Sequence, residues 1–317
     1  MLKVTVLDGY AANPGDLDWN IFKDIAELTV YDRTPPELVV ERIGDSDAIF
    51  LNKVNITKQI IEQCPKLKYI GVMATGYNVV DTKAAREAGI TVTNIPAYST
   101  DSVAQHTFAL ILNFTNQVEQ HSQSVQNGDW IKSPDFCYWK SPLTELKGKT
   151  LGIFGFGSIG QKVAEIAHAF GMNVIIHVHS PNSFKGNEKA VSLDELFEQS
   201  DFITLHAPMT AETSQLINKN TISKMKKTAV IINTARGGLV NEGDLRQALE
   251  EGQIAGYAAD VIGTEPMKND CPLYKAKNCV LTPHIAWAPL EARQRLFKIA
   301  LENLRAFAAG KNINVVN

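Results

Sequence analysis

The chain has 317 residues, 44% apolar and 21% charged, with a net charge of −3. That length exceeds one typical core and predicts two domains of ordinary globular composition. The absence of basic runs argues against a nucleic-acid partner, and no apolar run approaches the roughly 20 residues of a membrane helix.

Met1–Asp8 reads as a strand ending in an acid, not as a signal peptide. Cys64, Cys137, Cys271 and Cys279 lack C-x-x-C spacing. They are expected as free thiols in a reducing cytoplasm, with neither a disulfide frame nor a metal site.

Residues 1 to about 95 alternate strand and helix signals. Strands are expected at Lys3–Leu7, Leu28–Tyr31, Ala48–Leu51, Tyr69–Val72 and Thr91–Asn94, with helices near 18–25, 35–43, 57–63 and 81–87. Such alternation predicts a parallel sheet covered on both faces. Thr100-Asp101-Ser102 opens a long helix running towards Ser124, with Val103, Thr107, Leu110, Ile111, Phe114 and Val118 as its apolar stripe. Residues 127–147 carry Trp130, Phe136, Tyr138 and Trp139 without periodicity. They are either a covered loop or an exposed arm that packs on a second subunit, and the arm is the preferred reading.

A second alternating unit follows, with strands at Leu151–Phe154, Asn173–Val178, Phe202–Leu205, Val230–Asn233, Ile254–Ala259 and Val280–Thr282. Its first strand runs into Gly155-Phe156-Gly157-Ser158-Ile159-Gly160, which fits G-x-G-x-x-G, and a helix follows from Gln161 to Phe170. In such a turn the first glycine permits the tight bend, the second admits a pyrophosphate, and the third lets helix pack on strand. The helix N-terminus then faces the phosphates. Ser192 and Glu195 form a capping box before a helix at Leu193–Gln199. Pro289 suits a first helical position, and Leu296, Ile299, Leu304 and Phe307 give the last helix an apolar face.

Arg236, Glu265 and His284 each follow a strand of the second unit. In a parallel sheet such loops gather at the carboxyl edge, where ligands bind. Reduction of a 2-keto acid needs hydride at C2 and a proton at the carbonyl oxygen. Arg236 can hold the carboxylate through paired hydrogen bonds, and His284 can deliver a proton near neutral pH. Glu265 can bond the other ring nitrogen and favour the imidazolium.

Gly155–Gly160, Asn233–Gly238, Asp260-Val261 with Glu265-Pro266, and Thr282–Ala286 together resemble the D-isomer-specific 2-hydroxyacid dehydrogenases, and the resemblance runs end to end. Leu7–Tyr10, Asn13–Leu17 and His284–Ala288 resemble the glycerate dehydrogenase (hydroxypyruvate reductase) branch. The resemblance implies that Arg236, Glu265 and His284 are the catalytic set and that NAD or NADP is the cofactor. It implies a substrate-carboxylate loop at Ala74-Thr75-Gly76, where backbone N–H groups form an anion nest, with Lys53 adding charge. Gly155, Gly157, Ser158, Ile159, Gly160, His206, Ala207, Pro208, Thr234, Ala235 and Asp260 fall at cofactor positions. Asp260 has a second reading as a buried supporting acid. For His106, His121 and His168 a structural role is expected.

One departure concerns the acid that usually ends the second strand and binds the ribose hydroxyls. Val178 stands there, followed by His179 and Ser180, with Lys185 nearby. Loss of the acid lowers repulsion of a 2′-phosphate, and no Arg replaces it, so relaxed NAD/NADP choice is expected.

The implied fold is α/β, with two doubly wound parallel-sheet domains. A Rossmann dinucleotide domain (100–285) is inserted into a flavodoxin-like substrate domain (1–99 and 286–317), with substrate in the cleft between them. The implied reaction is hydride transfer between NAD(P)H and hydroxypyruvate/D-glycerate, or glyoxylate/glycolate, in a cytoplasmic homodimer. A D-lactate or broad 2-keto acid reductase is the alternative within enzymes. A dinucleotide-sensing corepressor is the alternative outside them. Glu265 argues against the formate branch, which resembles a Gln there.

Overall fold

The computed structural model describes residues 1–179 and 186–317. The chain divides into two compact units, Met1–Ser99 with Ala288–Asn317, and Thr100–Trp287.

The first unit has five strands, β1 (Leu2–Val6), β2 (Ala26–Val30), β3 (Ala48–Leu51), β4 (Tyr69–Val72) and β5 (Thr91–Thr93), with helices α1 (Val39–Ile43), α2 (Lys58–Gln63) and α3 (Thr82–Glu87). All pairings are parallel, in the order β2-β1-β3-β4-β5. β3 and β4 are buried along their whole length, as continuous apolar strands between two helical layers must be. Around 18–25 only a short 3-10 helix forms, Trp19–Phe22, capped by the Asp18 carboxylate.

The second unit begins with α4 (Thr100–Asn116) and α5 (Val118–Gln126). The single helix expected to reach Ser124 is broken at Gln117, which adopts φ +46°. Thr144 N–H donates to the Thr115 carbonyl, so the loop satisfies a group left open at the end of α4. Then follow β6 (Thr150–Phe154), α6 (Ser158–Ala169), β7 (Asn173–His177), β8 (Lys189–Ala190), α7 (Leu193–Gln199), β9 (Phe202–Leu205), α8 (Lys219–Ile222), β10 (Val230–Asn233), α9 (Glu242–Glu250), β11 (Gly256–Ala259) and β12 (Cys279–Leu281). Among the described residues the seven parallel strands run β12-β11-β10-β9-β6-β7-β8, with the order reversing beside β6. That is the dinucleotide-fold topology, whose switch point lies at the carboxyl end of its first strand. The Ser192/Glu195 capping box is present.

The last helix, α10 (Leu290–Ala308), belongs to the first unit. Pro289 is its N-cap, one position before the place expected for it. Phe297 packs 4.6 Å from Trp19 and Phe307 4.8 Å from Tyr69, ring centre to ring centre. Arg293, nearly buried, donates two bonds of 2.6 Å to the Asp16 carboxylate and so ties α10 to the loop after β1.

Candidate active site

The glycine turn is shaped as a dinucleotide needs. Gly155 has φ +88°, and a Cβ there would lie 2.8 Å from the Ala207 nitrogen. A Cβ on Gly160 would strike the Gly155 carbonyl, because α6 is packed hard against the turn. A Cβ on Gly157 would meet nothing within 4 Å, which leaves room over the N-terminus of α6. Ser158 and Ile159 form the first turn of that helix.

His206 follows β9, and its backbone N–H donates to the Phe154 carbonyl at 2.8 Å. Both ring nitrogens are buried without a hydrogen-bond partner, although the residue as a whole is only partly buried. Burial holds its pKa far down, from 6.5 to about 3. An orphaned imidazole beside an open glycine cradle fits a bound dinucleotide. Ala207 and Pro208 continue this loop, which Thr213 closes by donating to the Pro208 carbonyl at 2.8 Å. Val178, just past β7, packs on the apolar core, so no carboxylate stands at that strand end. His179 is exposed, and Ser180 and Lys185 lie outside the described residues.

The three chemistry-bearing residues follow adjacent strands. Glu265, after β11, places Oε2 2.7 Å from Nδ1 of His284, after β12. Their side chains are 35% and 29% exposed, so the pair is reachable from solvent. His284 adopts φ +56°, a left-handed conformation that costs a non-glycine residue about 1 kcal/mol or more. Asp260, 1% exposed, supports that conformation. Its carboxylate accepts from the Thr282 hydroxyl at 2.6 Å and from the Ile285 and Ala286 N–H groups at 2.8 and 2.7 Å. These contacts place Asp260 as the buried anchor of the His284 loop.

Arg236 is exposed and precedes the 3-10 turn Gly237–Leu239. Gly237 lies so close to the Ile262 backbone that no side chain fits, so the Arg236 turn abuts the loop carrying Glu265. Asn233 shapes the Arg236 turn, a role the sequence reading missed. Its side chain accepts from Ala235 N–H at 3.0 Å and donates to the Arg236 carbonyl at 2.9 Å. An Asn ending an apolar strand before Thr-Ala-Arg is the local signal for such a turn. Thr234 bonds Thr107 of α4 at 3.1 Å. His106 Nε2 lies 2.9 Å from the Thr282 hydroxyl, whereas His121 bonds the Gln117 carbonyl and accepts from Lys140 N–H at 3.1 Å, and His168 contacts Glu188.

In the first unit, Ala74, Thr75 and Gly76 form the loop after β4. It is pinned by Ile95 N–H to the Ala74 carbonyl at 3.0 Å and by the Asn94 side chain to the Thr75 carbonyl at 2.8 Å. Lys53 is exposed, and its N–H donates to Asp8 at 2.6 Å. Burial raises the Asp8 pKa against the pull of the backbone donors of the loop after β3.

The family model described as "D-isomer specific 2-hydroxyacid dehydrogenase, NAD binding domain" matches residues 108–286. The chain is 48% identical to a hydroxypyruvate reductase of Blautia hydrogenotrophica, over 100% of both chains. It is 40% identical to a glycerate dehydrogenase of Methylorubrum extorquens, over 99% of this chain and 98% of that one. Among solved structures, it superimposes with a TM-score of 0.84 on an NADPH-dependent glyoxylate/hydroxypyruvate reductase from Sinorhizobium meliloti in complex with NADP and malonate. That match has 28% identity and covers 99% and 96% of the two chains. No helix among the described residues is long and apolar enough to cross a membrane. On its sequence and its fold, this chain belongs to the D-isomer-specific 2-hydroxyacid dehydrogenases, within the branch of the hydroxypyruvate reductases and glycerate dehydrogenases.

Proposed function

We propose that the protein reduces small 2-keto acids with NADH or NADPH, hydroxypyruvate to D-glycerate above all and glyoxylate to glycolate as well. The Glu265–His284 pair at 2.7 Å, formed by the loops after β11 and β12, the first of which abuts the Arg236 turn, carries this reading. The relatives' names agree with it.

A reduced nicotinamide dinucleotide held at the Gly155–Gly160 turn would supply the hydride for C2. Glu265 holds Nδ1 of His284, which leaves Nε2 as the nitrogen that protonates the carbonyl oxygen. The imidazolium proton becomes the hydroxyl of the product, and the ring is reprotonated from solvent. Arg236 pairs with the substrate carboxylate and polarises the carbonyl.

The unit Met1–Ser99 with Ala288–Asn317 takes the substrate role in this reading, through the Ala74-Thr75-Gly76 loop and Lys53. The unit Thr100–Trp287 takes the dinucleotide at Gly155–Gly160, Val178, His179, His206–Pro208, Thr234 and Ala235. Trp130, Ile131, Phe136 and Trp139 are more than half exposed, which suits an arm covered by a second copy in a homodimer. The four cysteines are free, which suits a reducing cytoplasm.

Turnover of hydroxypyruvate, glyoxylate, pyruvate and a bulkier 2-keto acid, each with NADH and NADPH, tests the proposal. Fastest turnover of hydroxypyruvate is expected. Fastest turnover of pyruvate would reassign the protein as a D-lactate enzyme, and none at all would favour a dinucleotide sensor.

A further inference from the structure

Two neighbouring residues of α4 reach two different loops of the active edge. His106 Nε2 lies 2.9 Å from the Thr282 hydroxyl and 3.6 Å from Asp260 Oδ1. Thr282 gives its only hydroxyl proton to Asp260 at 2.6 Å, so Nε2 of His106 must be the donor in the first bond. Thr107, fully buried, donates to the Val103 carbonyl at 2.9 Å, so Thr234 donates to Thr107. The first chain of bonds runs from α4 through Thr282 and Asp260 to the N–H groups of Ile285 and Ala286, bracketing His284 in its left-handed conformation. The second ends two residues before Arg236. Neither loop is tied to α4 by apolar packing alone, and polar bonds of fixed direction set position more sharply than such packing does.

We propose that α4 is the brace that spaces the proton donor from the carboxylate clamp, with His106 and Thr107 as positioning residues. The proposal rests on the reading of His284 as proton donor and Arg236 as clamp. His106 acts on the His284 loop, so its loss falls on kcat. Thr107 acts on the Arg236 turn, so its loss falls on the KM for the keto acid and, through the carbonyl that Arg236 polarises, on kcat as well.

The test compares H106L, H106N, H106Q and T107V in the full-length enzyme, with H284A alongside. In H106L the donor is gone, and in H106N it is withdrawn. Each should lower kcat about tenfold or more while the dinucleotide Kd stays within about twofold. In H106Q the amide nitrogen reaches the place of Nε2, and kcat should return to within about threefold of wild type. T107V should raise KM about threefold or more and lower kcat less than H106L does. An unchanged kcat in H106N together with an inactive H284A overturns the brace and leaves the acid assignment standing. Full activity in H284A overturns the assignment on which the brace rests. Equal losses in all four α4 variants, tracking their melting temperatures, would show a merely structural helix and also overturn it. If H106L fails to fold, H106N against H106Q decides.

Discussion

Oε2 of Glu265 stands 2.7 Å from Nδ1 of His284, and the two residues come from neighbouring strands, 19 positions apart in the chain. The contact fixes which ring nitrogen is left for the substrate and sets a carboxylate against the ring. Glu265→Gln keeps an acceptor and removes the charge. Turnover at neutral pH should fall about 10- to 100-fold with dinucleotide affinity unchanged. Steady-state kinetics with a fluorescence titration of the dinucleotide checks both halves. A turnover within about twofold of wild type would show that the charge is dispensable.

The glycines of the turn should separate folding from binding. Gly160→Ala drives a methyl into the Gly155 carbonyl, so it should lower the melting temperature by several degrees, about 1–3 kcal/mol of overpacking. Gly157→Ala meets nothing within 4 Å in the protein itself. It should melt like wild type and lose dinucleotide affinity by about tenfold or more, because the methyl enters the space reserved for the pyrophosphate. Thermal melts with and without dinucleotide read the difference. Normal dinucleotide affinity in Gly157→Ala would mean that the phosphates lie elsewhere.

Cofactor choice should follow the residue after β7. Val178 packs on the core and leaves that strand end without a carboxylate. Wild type should use NADH and NADPH with kcat/KM values within about a hundredfold of each other. Val178→Asp should depress NADPH use about tenfold or more through repulsion of the 2′-phosphate while sparing NADH. Initial rates with each cofactor decide this. Equal NADPH use by wild type and variant would place the ribose away from position 178.

His206 predicts part of the acid sensitivity. Its folded pKa is lowered from 6.5 to about 3, so below about pH 6.5 the unfolded chain takes up a proton that the folded chain refuses. Stability therefore falls as pH drops from about 6.5 towards 3, and this contribution is fully present only above that window. His206→Leu removes the buried nitrogens and should flatten the fall in melting temperature between about pH 7 and 4, measured without dinucleotide. An equally steep fall in the variant would rule out His206 as a source.

Much of this fold is legible because its strands are covered on both faces. Val-Ile-Ile-Asn at 230–233 and Tyr-Ile-Gly-Val at 69–72 are continuous runs of this kind, found at their expected ends. The glycine turn is equally local, since two close approaches within six residues, at Gly155 and Gly160, demand glycine. The sequence hides what long-range contacts decide. Gln117 breaks a helix whose apolar stripe runs on, because Thr144 takes the Thr115 carbonyl. His106 finds its partner 176 residues away, so no spacing rule reveals it. Asp260 follows a strand just as Arg236 does. Only its burial and three hydrogen bonds show that it shapes the His284 loop.

The central claim is that His284 protonates a 2-keto acid as it is reduced, and the most direct measurement is the turnover of His284→Ala on hydroxypyruvate, with the dinucleotide Kd determined on the same sample. A fall in kcat of about a hundredfold or more, with Kd held within about twofold, is the expected result. A variant whose turnover stays within about threefold of wild type contradicts the account.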